Sequence, residues 1–218
     1  MNAGTALVAA YFKAQTTFDF GGRFNIAPRQ DVPVVTNRKD TREIVGMNWG
    51  FLPSWTKDAA HGVRPINAKS ESVQTNGMFR GSFQKRRCLV PATGFYEWQV
   101  IDAKHKQPYL ITLNARNIYA IAGLYDNYRG KDEKWHQTFT IVTTAPNDLV
   151  ANVHDRMPVI LSREDEELWL DQAAGADDLS TLLTAYPESG MRATAIPTRV
   201  NSVANEGPDV AEPGGAGA

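Results

Sequence analysis

The sequence predicts an α+β domain that is mainly β, and three observations lead there. Short runs of apolar, β-branched and aromatic residues recur between polar turn segments from Val32 to Pro197. The helices expected are all short: near the start, after Ser70, after Ala145, after Ser162 and around Leu179. No repeat or break in composition interrupts Asn25 to Val203, so one domain is expected over 1–208, followed by a disordered tail over 209–218. The 218 residues are 42% hydrophobic and 22% charged, ordinary for a globular chain. With 23 basic against 24 acidic residues there is no global attraction to nucleic acid, so any such site must be a local patch. One cysteine excludes an internal disulfide framework and agrees with a reducing compartment. Met1 to Phe12 lacks the basic and apolar segments of a signal peptide, and no apolar run reaches membrane-spanning length. A cytoplasmic protein is expected.

Taken in order, Thr5 to Lys13 predicts a short helix with Leu7, Ala10 and Tyr11 on one face, and Met1-Asn2-Ala3-Gly4 supplies no strong cap. Gly21 to Pro28 reads as a loop with an extended exit, because a proline biases the residue before it away from helix. Val32 to Thr36 is a strand, which Pro33 assigns to an edge, and Thr41 to Trp49 is its hairpin partner. Ser70 with Glu71 opens a helix running towards Met78 and Phe79. Pro108 to Leu113 and Tyr119 to Tyr125 are two strands expected to pair, and Trp135 to Thr143 is another. Ala145-Pro146-Asn147 starts a short helix, and Ser162 caps a clearer one to Ala173 with Glu164 to Glu167 in its first turns. A second short helix at Leu179 to Leu183, a strand at Met191 to Pro197 and a loop from Thr198 follow.

The chemistry concentrates in Cys88 to Trp98, reading Cys-Leu-Val-Pro-Ala-Thr-Gly-Phe-Tyr-Glu-Trp. It begins as an apolar strand, breaks at Pro91, turns through Thr93-Gly94, and sets Glu97 between two large aromatics. A carboxylate there stays wet, finds a partner or raises its pKa, and the last suits a general acid or base near neutral pH. The same pattern also fits a strand with Phe95 inward, Tyr96 outward and Glu97 on a solvated edge. His154-Asp155-Arg156-Met157-Pro158 is the second such stretch: either an imidazole placed for acid–base work, or a loop whose Asp155 caps a turn. Asn67, in an extended stretch after Ile66, either caps a turn or donates to a ligand. In Trp49-Gly50-Phe51-Leu52-Pro53-Ser54-Trp55, Trp49 plugs the core, whereas Trp55 lies past the proline and offers a stacking platform for a base. Lys85-Arg86-Arg87, preceded by Arg80, reads as a solvated face or as phosphate contacts. Glycine-rich phosphate loops, zinc-type His-Glu-x-x-His and Cys-x-x-Cys spacings, and Gly-x-Ser-x-Gly are missing from the sequence. Cys88, between Arg87 and Leu89-Val90, is expected to be a buried small hydrophobe, not a nucleophile.

In order, Asn25-Ile26-Ala27-Pro28, the Trp49–Trp55 string, Ile66-Asn67-Ala68-Lys69-Ser70-Glu71, Arg87 to Trp98 and His154 to Pro158 closely resemble the SRAP family (SOS-response-associated peptidases). The resemblance covers roughly Asn25 to Pro208. It implies a distorted antiparallel β-barrel with flanking short helices and a concave, positively lined DNA face. The family crosslinks covalently to abasic sites in single-stranded DNA, so the expected partner is such DNA, bound by a monomer with no cofactor, metal or membrane. By the resemblance Asn67, Glu97 and His154 are catalytic, with Asn67 holding the abasic sugar. Trp55 is a wedge at the DNA bend, Pro28 and Trp49 shape the groove, and Lys69, Arg80 and Arg156 complete the DNA-binding set. Lys69 stands where the family usually has arginine, which keeps the charge and loses the bidentate geometry. Gly77 stands where some members have a phosphate-contacting arginine.

In the family the initiator methionine is removed autocatalytically and the following cysteine supplies an α-amine that attacks the sugar aldehyde, its thiol then closing a thiazolidine. A lyase activity is part of the same pattern. This chain begins Met1-Asn2-Ala3-Gly4 where the family begins Met-Cys-Gly-Arg, and no cysteine precedes Cys88. Three explanations are open. The start is internal to a longer chain, which the uncapped first helix supports; the protein is a divergent relative that binds DNA without covalent chemistry; or Asn2 forms an imine with no thiol to trap it.

Overall fold

The structure, a computed structural model, describes residues 1–16, 18–38, 41–56 and 62–213. In chain order its strands are β1 (Gln15–Thr16), β2 (Asp31–Arg38), β3 (Thr41–Trp49), β4 (Asn67–Lys69), β5 (Arg87–Ala92), β6 (Phe95–Val100), β7 (Lys106–Leu113), β8 (Tyr119–Arg129), β9 (Trp135–Thr144), β10 (Met157–Pro158), β11 (Ile160–Leu161) and β12 (Met191–Ala195). The helices are α1 (Thr5–Phe12), α2 (Arg80–Lys85), α3 (Asp148–Ala151), α4 (Arg163–Leu170) and α5 (Ala176–Thr181).

β3, β2, β5, β8 and β9 close into a five-stranded barrel, in line with the expected distorted barrel. Its pairings are antiparallel except at the closing seam, where β3 and β9 run parallel through Asn48–Thr138 and Trp49–Phe139. A second sheet of three strands, in the order β12-β7-β6, lies apart from the barrel ladder. β5 is buried at all six positions, which requires cover on both faces. On its outer face Leu89 joins Val35, Ala122 and Leu124 beneath Phe83 of α2 and Trp169 and Leu170 of α4. The alternate residues Cys88, Val90 and Ala92 join Val34, Ile121 and Phe139 in the lumen.

Several expectations are corrected. β2 is an interior strand, not an edge; Pro33 pairs only with Gly46 of β3, and β5 meets β2 two residues further on, at Val35, where an N–H is available. β7 does not pair with β8. It forms a hairpin with β6 and takes β12 on its other side, while β8 pairs with β5, β9 and β11. The 70–79 stretch is a succession of turns, and the helix begins only at Arg80. α4 ends at Leu170, short of Ala173, although Ser162 and Asp165 form the full capping box. The basic triplet is not one solvated face. Arg86 pairs with Asp126, and Arg87 is buried, its Nε donating to the Trp169 carbonyl (2.7 Å), Nη1 to those of Phe83 (2.6 Å) and Gln84 (2.7 Å), and Nη2 to that of Asp171. The tail is ordered at its start: Pro208–Val210 form a 3-10 turn and Val210 is buried with Ile196 and Val200, whereas 214–218 lie outside the described residues. Among the described residues no helix is long and apolar enough to cross a membrane.

Candidate functional site

One end of the barrel lumen opens into a cleft of about 500 Å³, walled on its other side by β6. Pro28, Trp49, Asn67, Glu97 and His154 all line it, although they come from five separate stretches of chain. β6 carries Glu97 opposite Tyr109 of β7 and is half-buried along most of its length, so neither of its faces is fully wet. Gly94 makes the β5–β6 turn possible: a Cβ there would fall 2.7 Å from Leu110 Cδ1 and 3.2 Å from the Ile111 carbonyl. His154 is presented by the turn after α3, whose N-cap Asn147 accepts from the Val150 N–H; the Val150 carbonyl in turn accepts from the His154 N–H (2.8 Å). Asn67 heads β4, which runs parallel to β9 with Asn67 opposite Ile141.

Glu97 Oε2 lies 3.8 Å from His154 Nδ1. Burial pushes the Glu97 pKa up to about 7, with His154 pulling it down and Asp155 pushing it up. Among the described residues the carboxyl meets only that imidazole and accepts no hydrogen bond. His154 Nδ1 sits 3.1 Å from the Arg156 N–H and 3.2 Å from the Arg156 carbonyl. The local backbone therefore partners Nδ1 in either protonation state, and Nε2 is left without a described partner. A half-ionised carboxyl beside an imidazole with one open nitrogen can accept and donate protons at neutral pH.

The other expected residues are placed differently. Trp55 is 65% exposed and does not line the cleft, and Lys69 and Arg80 are likewise exposed outside it. Arg156, next to the His154 turn, is engaged elsewhere. Its guanidinium holds Glu71 in a bidentate pair (2.6 and 2.9 Å) and donates to the Thr143 carbonyl (2.6 Å). That hydrogen bonding draws the Glu71 carboxyl down to about 2. Trp49 is half-buried, stacked on Phe139 at 6.2 Å and donating from Nε1 to the Ile66 carbonyl (2.9 Å), so it shapes the cleft and fixes the segment leading to Asn67. Cys88 is buried in the barrel wall, where burial raises its thiol pKa, as expected of a small hydrophobe.

Sequence reasoning missed the framework that carries Pro28. Asn25 is buried and its amide donates to the carbonyls of Val200 (3.1 Å), Ser202 (3.0 Å) and Asn205 (3.1 Å). Glu206 accepts from the Phe24 and Asn25 N–H groups and pairs with Arg23, while Tyr96 Oη donates to the Phe24 carbonyl (2.6 Å). Partners about 180 residues away leave no local signal in sequence. Also missed was the place of the first residues. Met1 and Asn2 line the cleft, the Met1 carbonyl accepting from Arg23 N–H (2.7 Å) and the Asn2 N–H donating to Thr93 Oγ1 (3.1 Å).

The chain is similar to known proteins over most of its length. The family model described as SOS response associated peptidase (SRAP) matches residues 2–203. The Bacillus subtilis (strain 168) protein named abasic site processing protein YoqW is 37% identical over 190 residues, covering 87% of this chain and 85% of that one. The Escherichia coli (strain K12) protein named abasic site processing protein YedK is 27% identical over 195 residues, covering 88% and 85%. A crystal structure of a Bacteroides thetaiotaomicron protein superposes with a TM-score of 0.87 at 29% identity, over 98% of this chain and 97% of that one. The chain belongs to the SOS response associated peptidase family.

Proposed function

We propose that this protein binds single-stranded DNA as a monomer and processes abasic sites in it, with Glu97 and His154 moving protons and Asn67 holding the sugar. The Glu97–His154 pair, 3.8 Å apart in a cleft that also holds Asn67, carries this reading. Relatives named abasic site processing proteins support it. An abasic deoxyribose must open from its ring to an aldehyde, which takes a proton from the anomeric hydroxyl and gives one to the ring oxygen. A carboxyl with a pKa of about 7 does either, and His154 Nε2 does the other. An amine adding to the aldehyde gives a carbinolamine, which loses water to an imine once an acid protonates the departing hydroxyl. Asn67 orients the sugar without adding charge. Thiazolidine closure needs a thiol in the cleft; Cys88 is buried in the wall and Asn2 has none. The covalent step that the described residues can supply is an imine, which water can reverse. Lys69, exposed outside the cleft but on the face of β4 that carries Asn67, would have to reach over its rim to serve as that amine.

Asn2 at the cleft favours a second reading, a module that binds DNA without covalent chemistry. Incubating the protein with a single-stranded oligonucleotide carrying one abasic site, with and without cyanoborohydride, then running a denaturing gel, separates the two. A band only with reductant is expected, mapping to Lys69 and forming about a hundredfold more slowly in Glu97→Gln. The Asn2→Cys chain should give a band without reductant once Met1 is removed. Salt-sensitive binding with no band in either lane means the module, and no binding at all overturns both readings.

A further inference from the structure

Just outside the cleft, past Pro28 and Trp49, two arginines converge on one turn. Arg29 has φ 74°, a left-handed conformation that side chains other than glycine adopt at a cost. Both its backbone groups are held there: its N–H donates to the Trp49 carbonyl (2.8 Å) and its carbonyl accepts from Asn48 Nδ2 (2.9 Å). The side chain then lies over Gly50, where a Cβ would fall 2.6 Å from Arg29 Nη1 and where φ 144° already excludes most residues. Arg64 reaches the same turn from the irregular segment that leads to Ile66 and Asn67. Its Nη2 donates to Asn48 Oδ1 (2.6 Å) and its Nε to the Gly50 carbonyl (3.4 Å).

Among the described residues neither guanidinium meets a carboxylate. Asp31, the acidic residue nearest Arg29 in the chain, accepts instead from Asn48 Nδ2 (2.9 Å). The two cations are close enough that Arg64 is harder to keep charged, through its burial first and Arg29 second. A turn that accepts backbone strain to gather two cations which, among the described residues, meet no carboxylate suits an anion.

We propose that Arg29 and Arg64 form an oxyanion subsite that takes a phosphodiester of a nucleic-acid strand running out of the cleft over Pro28 and Trp49. The nucleic-acid half of this proposal rests on the abasic-site reading; the anion half stands on the turn alone. Two measurements keep these apart. In the first, the whole ¹⁵N-labelled protein is titrated with dimethyl phosphate while the arginine Nε–Hε resonances are followed. Those of Arg29 and Arg64 should move, and their movement should vanish in R29Q/R64Q. In the second, binding of an undamaged thymidine oligomer is measured against salt. The double variant should bind about tenfold more weakly, with the log–log salt slope smaller by about 0.7, as for one phosphate of a single strand. Arg29→Gln alone, at an exposed side chain, should give about half that change in slope, and Arg64→Lys should keep the slope while losing affinity. A double variant with wild-type affinity and slope, or a phosphate titration that moves neither resonance, overturns the subsite. If phosphate moves both resonances and the oligomer does not bind, the anion subsite stands and the DNA reading falls.

Discussion

Glu97 is held in a state that works against the fold. In the unfolded chain its carboxyl titrates near 4.5, and in the cleft near 7, because burial penalises the charge more than His154 relieves it. The folded state therefore binds the Glu97 proton more tightly than the unfolded state. Its contribution to stability is complete below about 4.5 and is lost as the pH rises through 7. Glu97→Gln keeps the shape and removes the charge. Its melting temperature should match that of the parent at pH 4 and exceed it at pH 8, by roughly 2–4 °C for each kcal/mol relieved. Scanning calorimetry at the two pH values tests this; a gain equal at both would mean that something other than the buried carboxylate was relieved. The same substitution should slow proton transfer, so the destabilising feature and the proposed chemistry are one side chain.

At the level of elements, α2 and α4 end at one buried guanidinium. Arg87 takes the Phe83 and Gln84 carbonyls from the last turn of α2 and those of Trp169 and Asp171 at the end of α4, tying two helices to the barrel strand that carries it. Removing it leaves carbonyls without donors where helix dipoles also favour a cation. Arg87→Met should lower stability in urea by about 3 kcal/mol, and Arg87→Lys should recover less than half of that, since an ammonium cannot span four acceptors. An unchanged midpoint in Arg87→Met would show that water replaces those bonds at no cost. This arginine also marks where the sequence stops being legible. Within Lys85-Arg86-Arg87 nothing local separates the buried member from its exposed neighbour Lys85, because its partners lie up to 84 residues away. β5, β6 and the Glu97 position were readable, since an apolar run, a proline and a turn act over neighbouring residues. The β7–β8 pairing was misread for the opposite reason: adjacent strands often pair, but here each had a long-range partner, β12 for β7 and β5 for β8. The helix expected after Ser70 gave way to turns beside the ion pair between Glu71 and Arg156, again a distant contact.

For the molecule as a whole, the barrel wall belongs to two cores at once. Leu89 faces the helices while Cys88 and Val90 face the lumen, and on β8 Ala122 and Leu124 alternate with Ile121 in the same way. The lumen core extends to Ile111 and Leu113 of β7 and Met191 of β12, so the second sheet shares its apolar contacts. Neither core can lose its strands without exposing the other, and the cleft floor, built on Val90, Ile121 and Phe139, goes with them. The described chain should therefore unfold as one unit. Far-UV circular dichroism and tryptophan fluorescence should trace a single urea transition. Leu89→Ala, made on the helix side, should shift both traces together by about 2–5 kcal/mol, with an unchanged slope against denaturant. Separate transitions, or a Leu89→Ala shift in only one trace, would show that the three-stranded sheet with Glu97 melts apart from the barrel that holds Asn67. The two halves of the proposed proton machinery would then be joined only at the cleft, and opening between them would expose the site to water before the fold is lost.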